Sequence, residues 1–216
     1  MTDAADSGPP GRAWKFLDEL GRGMITGFPW PRPGQWVTVD GPLEDCVRGI
    51  HACRPIDLGW WLSAQLWEIE LAGDHLEGRH AVVAARGRLV RQVEGWPAVG
   101  GELAAWATWR CRDRAADLWQ PVDPGVAGAL RAATTVEDLA GMVNELPLAT
   151  GRPEQEAAAY LAAHLAAGSN AVLACVNDAQ SAGHHALATG AGLAAAAYAI
   201  EREAQSRWLA DRLALS

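Results

Sequence analysis

The hydrophobic pattern of this chain changes period once, and that change fixes the class of fold it can adopt. Up to about residue 94, apolar and polar side chains alternate, as in Leu66-Trp-Glu-Ile-Glu-Leu71 and Gln35-Trp-Val-Thr-Val39, the two-residue period of strands with one face buried. From Glu102 onward Leu103, Ala107, Cys111, Ala115 and Leu118 recur at helical spacing. Gly95-Trp-Pro-Ala-Val-Gly-Gly101 breaks both periods and marks the boundary. The pattern predicts an α+β protein: a polar, proline-bearing tail over 1–12, a small β-rich module over 13–96, and an alanine-rich all-helical bundle over 98–216.

Within the first module, strands are expected at 14–17, 35–39 and 50–53, with an extended, proline-rich loop at 21–35. Pro42 and the acids after it predict a helical turn at 42–47, and 55–62 a short helix. The strand at 66–71 runs into an Ala-Gly-Asp turn, and 79–93 returns as one bent strand or two shorter ones. In the bundle, Pro121 ends the first helix, and Thr134-x-x-Glu137 is a capping box for one that stops before Pro147. Pro153 opens the next, Ser169 caps the one after it, and a final helix covers 191–215. Leu193, Ala197, Ile200, Ala204 and Trp208 form that helix's apolar stripe.

Composition excludes several classes of function. The net charge of -8 gives no field for phosphate backbones or anionic lipid, so neither nucleic acid nor membrane is expected as a partner. No apolar run approaches the ~18 to 20 residues of a membrane span, and MTDAADSGPP has no basic segment followed by an apolar one, which points to the cytoplasm. The four cysteines are scattered and expected as free thiols. Lys15 is the only lysine; with the alanine excess this reads as the coding bias of a GC-rich genome. The tryptophans of the first module read as core. No nucleophile triad, phosphate loop or dinucleotide-binding glycine pattern is present.

Two stretches resemble known families. LAAWATWRCRDRAADLW, AAAYLAAHLAA and SAGHHALATGAGLAAAAYAIEREAQSRWLADRL resemble, in that order, the helical immunity-protein domains of bacterial polymorphic toxin systems. The likeness covers about 102–216 and implies a non-catalytic protein that binds another protein, in that family a toxin. The contact surface is expected on the terminal helix, at Arg202, Arg207, Trp208 and Arg212, because Arg and Trp anchor interfaces. Trp208 has a second reading, as part of the bundle core.

Residues 49–96, with GIHAC and ARGRLVRQVEGW, faintly resemble the small rifamycin ADP-ribosyltransferases. That likeness implies the alternative function, an NAD-binding enzyme. His51 would stand at the nicotinamide, and Glu68 or Glu70 would supply the carboxylate that ADP-ribosyl transfer needs. Strand alternation also allows Glu68 and Glu70 a plain solvated face. No metal is expected: Cys46, His51 and Cys53 lack a fourth ligand, and His164, His184 and His185 read as hydrogen-bonding histidines. Self-association through the Trp-rich module is a third reading.

Overall fold

The computed structural model describes residues 11–148, 151–168 and 170–215. Most of the expected tail and the expected cap Ser169 lie outside them. The fold is α+β, an antiparallel five-stranded sheet followed by six α-helices among the described residues. The chain packs as two compact units. The first holds residues up to Val99 together with the C-terminal turns from Ser206, and the second holds Gly100–Gln205.

In the first unit the strands are β1 (Gly11–Leu17), β2 (Val37–Thr38), β3 (Ile50–Ala52), β4 (Gln65–Glu77) and β5 (Val82–Gln92). Their order is β1-β4-β5-β2, with β3 also pairing β5. The Ala-Gly-Asp stretch expected to end β4 is instead a bulge between Ala72 and His75, with Gly73 at φ 75°. β4 therefore runs on, and the chain reverses at Gly78, whose N–H donates to the Ala81 carbonyl at 2.8 Å. A second irregularity lies between Glu68 and Ile69. Bulges bend a sheet and tighten its twist. This sheet curls until the first strand meets the residue after β3: Trp14 and Cys53 exchange backbone hydrogen bonds of 2.9 and 2.6 Å. Ala13, Ile50, Ala52, Ile69, Leu71 and Ala84 form the core inside the curl, with Trp30, Val37 and Val39 packed on it.

The helical turn expected at 42–47 does not form. Glu44 pairs with Arg48 around a tight turn that holds Cys46 at φ 61°. Gly49 follows at φ 133°, where a Cβ would stand 2.3 Å from Val83 Cγ1, so only glycine fits. A short 3-10 helix does occupy Pro55–Trp60.

The helices are α1 (Trp96–Trp119), α2 (Pro124–Ala132), α3 (Val136–Glu145), α4 (Pro153–Ala166), α5 (Ala171–Thr189) and α6 (Ala194–Leu213). The glycine-rich stretch read as a boundary is helical from Trp96 on, and the two units divide within it, between Val99 and Gly100. Pro97 sits in the first turn, where a missing N–H costs nothing, and Trp96 packs edge-on against Phe16 with centroids 5.2 Å apart. Sequence reading did not anticipate α2, although Asp123 caps it by accepting from Gly125 and Val126 and Pro124 follows. The cap of α3 is Thr135, one residue beyond the Thr134 expected. The core of the second unit gathers Cys111, Ala115, Leu130, Leu139, Ala158 and Leu161 among others.

α6 does not bury the stripe its apolar pattern marks out, and Ala197, Ala204 and Trp208 are only half-buried. Leu193 and Ile200, expected inside, are 76% and 67% exposed, whereas Glu201, Arg202 and Gln205 are buried. None of the described helices is long and apolar enough to cross a membrane.

Candidate functional site

The first unit contains a cavity of about 280 Å3. Its walls come from β1, β3, the 23–30 loop and the turn around Cys46, and are largely apolar: Phe16, Ile25, Phe28, Trp30, Val39 and Ile50. Lys15 also lines it. Strand register explains why. Lys15 pairs with Trp67, and Ala13 with Ile69, so Lys15 emerges on the sheet face that carries the core.

The Lys15 Nζ donates to the His51 carbonyl oxygen at 2.6 Å and lies 5.0 Å from the centroid of the Trp30 ring. Both partners are themselves cavity-lining residues, which sets the amine at the wall. No carboxylate among the described residues lies within ion-pair distance of it. Burial without a counter-ion disfavours the ammonium form and brings the Lys15 pKa down to about 8. The thiol of Cys53 behind it is pushed up by the same burial and stays protonated.

His51 is where the two sequence readings of the N-terminal module diverge. Its Nε2 faces the Cys46 N–H at 2.9 Å and its Nδ1 faces the Gly49 carbonyl oxygen at 3.1 Å. An amide N–H only donates and a carbonyl only accepts, which assigns the proton to Nδ1 and makes Nε2 the acceptor. Burial and the nearby Lys15 lower the His51 pKa, outweighing the Gly49 hydrogen bond, so the ring is neutral. It braces the unusual backbone of Cys46, and both nitrogens are engaged in doing so.

Glu68 and Glu70 do not join His51. Glu68 pairs with Trp14 and Glu70 with Arg12 in the strand register, which places both on the face opposite Lys15. Glu68 binds Arg12 and Arg91, each at 2.8 Å, and Glu70 binds Arg88 at 2.6 Å. They form a cross-strand charged surface, and neither lines the cavity.

On the terminal helix, Arg202 was expected on an exposed surface but is only 4% exposed, and its Nη1 donates to Gln205. Arg207 and Arg212 are exposed, and Arg212 stacks over the half-buried Trp208 at 5.5 Å. The buried polar face of α6 belongs to a network within the helical unit. Arg110 makes a two-pronged contact with Glu201, at 2.6 and 2.7 Å. Arg114 bridges Glu201 and Asp178, and Gln205 donates to the other Asp178 oxygen at 2.9 Å. His164 meets Thr108 at 3.0 Å, and His184 meets the Tyr160 hydroxyl at 2.7 Å. These charges are mutually paired, so they organise the helices.

Lys15 is the site residue that sequence reading missed. Its uniqueness was visible, but as composition rather than as position. Comparison of the chain with protein-family models, with curated proteins and with solved structures finds no match in any of the three.

Proposed function

We propose that the protein binds a small, largely apolar ligand in the curled sheet of its first unit, with the ligand's polar end at Lys15. The observation that supports this is a lysine in an apolar cavity without a carboxylate partner. An unpaired buried cation is costly to keep, and an aromatic-walled cavity with a few convergent polar groups is the usual form of a ligand site. At about 280 Å3 the space lies at the small end of ligand pockets, which run from roughly 300 to 1,000 Å3. Calorimetry with benzyl alcohol, benzoate and benzaldehyde as probes tests the reading. Binding of at least one, lost in Ile50→Trp, which fills the cavity, is expected; binding of none overturns it. NAD belongs in the same panel, because NAD binding that weakens in His51→Ala would favour the transferase alternative.

A second reading concerns the helical unit and a protein partner, of the kind its resemblance to immunity domains implies. Three large apolar side chains, Leu187, Leu193 and Ile200, are 59%, 76% and 67% exposed around the junction of α5 and α6, and exposed apolar groups of this kind mark contact surfaces. Copurification of one specific protein from the native host, abolished by Ile200→Arg without change in melting, is the expected result. Recovery unaffected by Ile200→Arg would remove this surface from consideration.

A further inference from the structure

We propose that Lys15 captures carbonyl ligands covalently, as an imine formed inside the cavity. The inference rests on the ligand-binding reading above and adds the class of ligand, an apolar aldehyde or ketone.

The geometry of the amine carries it. A lysine ammonium has three N–H donors, whereas the neutral amine has two and a lone pair. Among the described residues the Lys15 Nζ has one hydrogen-bond acceptor, the His51 carbonyl oxygen at 2.6 Å, while the Trp30 ring, with its centroid 5.0 Å away, is in cation–π rather than hydrogen-bond reach. That one bond is within the capacity of the neutral amine, and no carboxylate among the described residues holds the ammonium form. The pKa of about 8 keeps an appreciable fraction of that form near neutral pH. Desolvation in an apolar pocket is the established way to make a lysine nucleophilic.

The chemistry needs no further reagent. The Nζ lone pair forms a bond to the carbonyl carbon while the C=O π pair moves to oxygen. One amine proton passes to that oxygen to give a carbinolamine. The hydroxyl then leaves as water with the second amine proton, and the nitrogen closes the C=N bond. One aldehyde and one amine become one imine and one water, with no change of oxidation state. The apolar walls disfavour the return of water, which is what hydrolysis of the imine requires.

Lys15 is the only lysine, so the reaction has one side-chain target and one internal competitor, the terminal amine. Benzaldehyde with sodium cyanoborohydride, which delivers hydride to the imine carbon and fixes it as a benzylamine, reads the site by peptide mass spectrometry. The full-length protein should be benzylated on Lys15 at least tenfold faster than a free lysine peptide. The rate should level off near pH 8, where a free lysine side chain would still be gaining. Benzyl alcohol should slow it by occupying the same space. Lys15→Arg should give no side-chain adduct. Should that variant not fold, protection by benzyl alcohol in the wild type still decides the point. Benzylation of Lys15 no faster than the peptide, while benzyl alcohol binds by calorimetry, overturns the imine and leaves the ligand site standing. If benzyl alcohol, benzoate and benzaldehyde all fail to bind and Lys15 gains no adduct, both fall together.

Discussion

Replacing Arg114 with Met should expose how much the second unit depends on one guanidinium. Asp178 is fully buried and Glu201 3% exposed. Arg114 is the cation between them, while Glu201 keeps Arg110 and Asp178 keeps the amide of Gln205. Removing one partner of a buried ion pair typically costs about 3 to 5 kcal/mol, because the carboxylate left behind is desolvated and uncompensated. At about 2 to 4 °C per kcal/mol for a protein of this size, melting should fall by roughly 6 to 20 °C. Adding Asp178→Asn should return more than half of the loss, since the stranded charge is then gone. The pH dependence has a definite sign. Burial, only partly offset by Arg114, raises the Asp178 pKa from 3.8 to about 7, so between those values the folded state binds more protons than the unfolded and stability falls as pH rises. Without Arg114 that pKa rises further, and the variant should regain stability from about pH 8 down to about pH 5 more steeply than the wild type. Urea titrations followed by helical circular dichroism across this range provide the assay. A variant within about 1 kcal/mol of the wild type, or one that Asp178→Asn does not rescue, would refute the charge argument.

Three further outcomes are expected. Burial and then the charge of Arg114 bring the His164 pKa from 6.5 down to about 4, so its stability contribution is present above pH 6.5 and lost as pH falls towards 4. His164→Gln should flatten that acid limb, worth roughly 3 kcal/mol, in the same titration. Gly49→Ala should cost at least ~2 kcal/mol, measured by urea unfolding, because both φ 133° and Val83 oppose a side chain there. Asp123→Ala should cost about 1 kcal/mol by the same measurement, and a cost near zero would mean that α2 does not need its cap.

How far the sequence could be read follows from which forces are local. The change of period located the sheet and the helices because apolar burial imposes it residue by residue. The stretch over 95–101 that interrupts both periods is helical from Trp96 on, because proline is tolerated in a first turn, and the packing of Trp96 on Phe16 shows where α1 begins. The turn expected at Gly73 proved a bulge for a related reason: a positive φ serves either, and the pairing of His75 with Ala84 decides. α6 was harder. Its apolar stripe includes two alanines, which bury little area each, so few large side chains are left to pull that face inward. The competing polar face gains two arginines from α1, and Glu201 stands 91 residues from its partner Arg110. No local pattern encodes a pairing over that distance.

Lys15 was legible as a count and opaque as a site for the same reason. Its environment comes from β3 and from the loop carrying Trp30, brought together by the curl that joins Trp14 to Cys53. Yet the composition holds an argument once the position is known. This chain has 18 Lys and Arg residues, of which one is lysine, and that one lines the cavity. A guanidinium stays charged at any physiological pH and offers no free lone pair, whereas an amine in an apolar cavity offers both a neutral form and a nucleophile. An arginine also has N–H donors for a carbonyl and a cation for an aromatic face. What it would not do is react with a carbonyl, and on that difference the assignment of Lys15 rests.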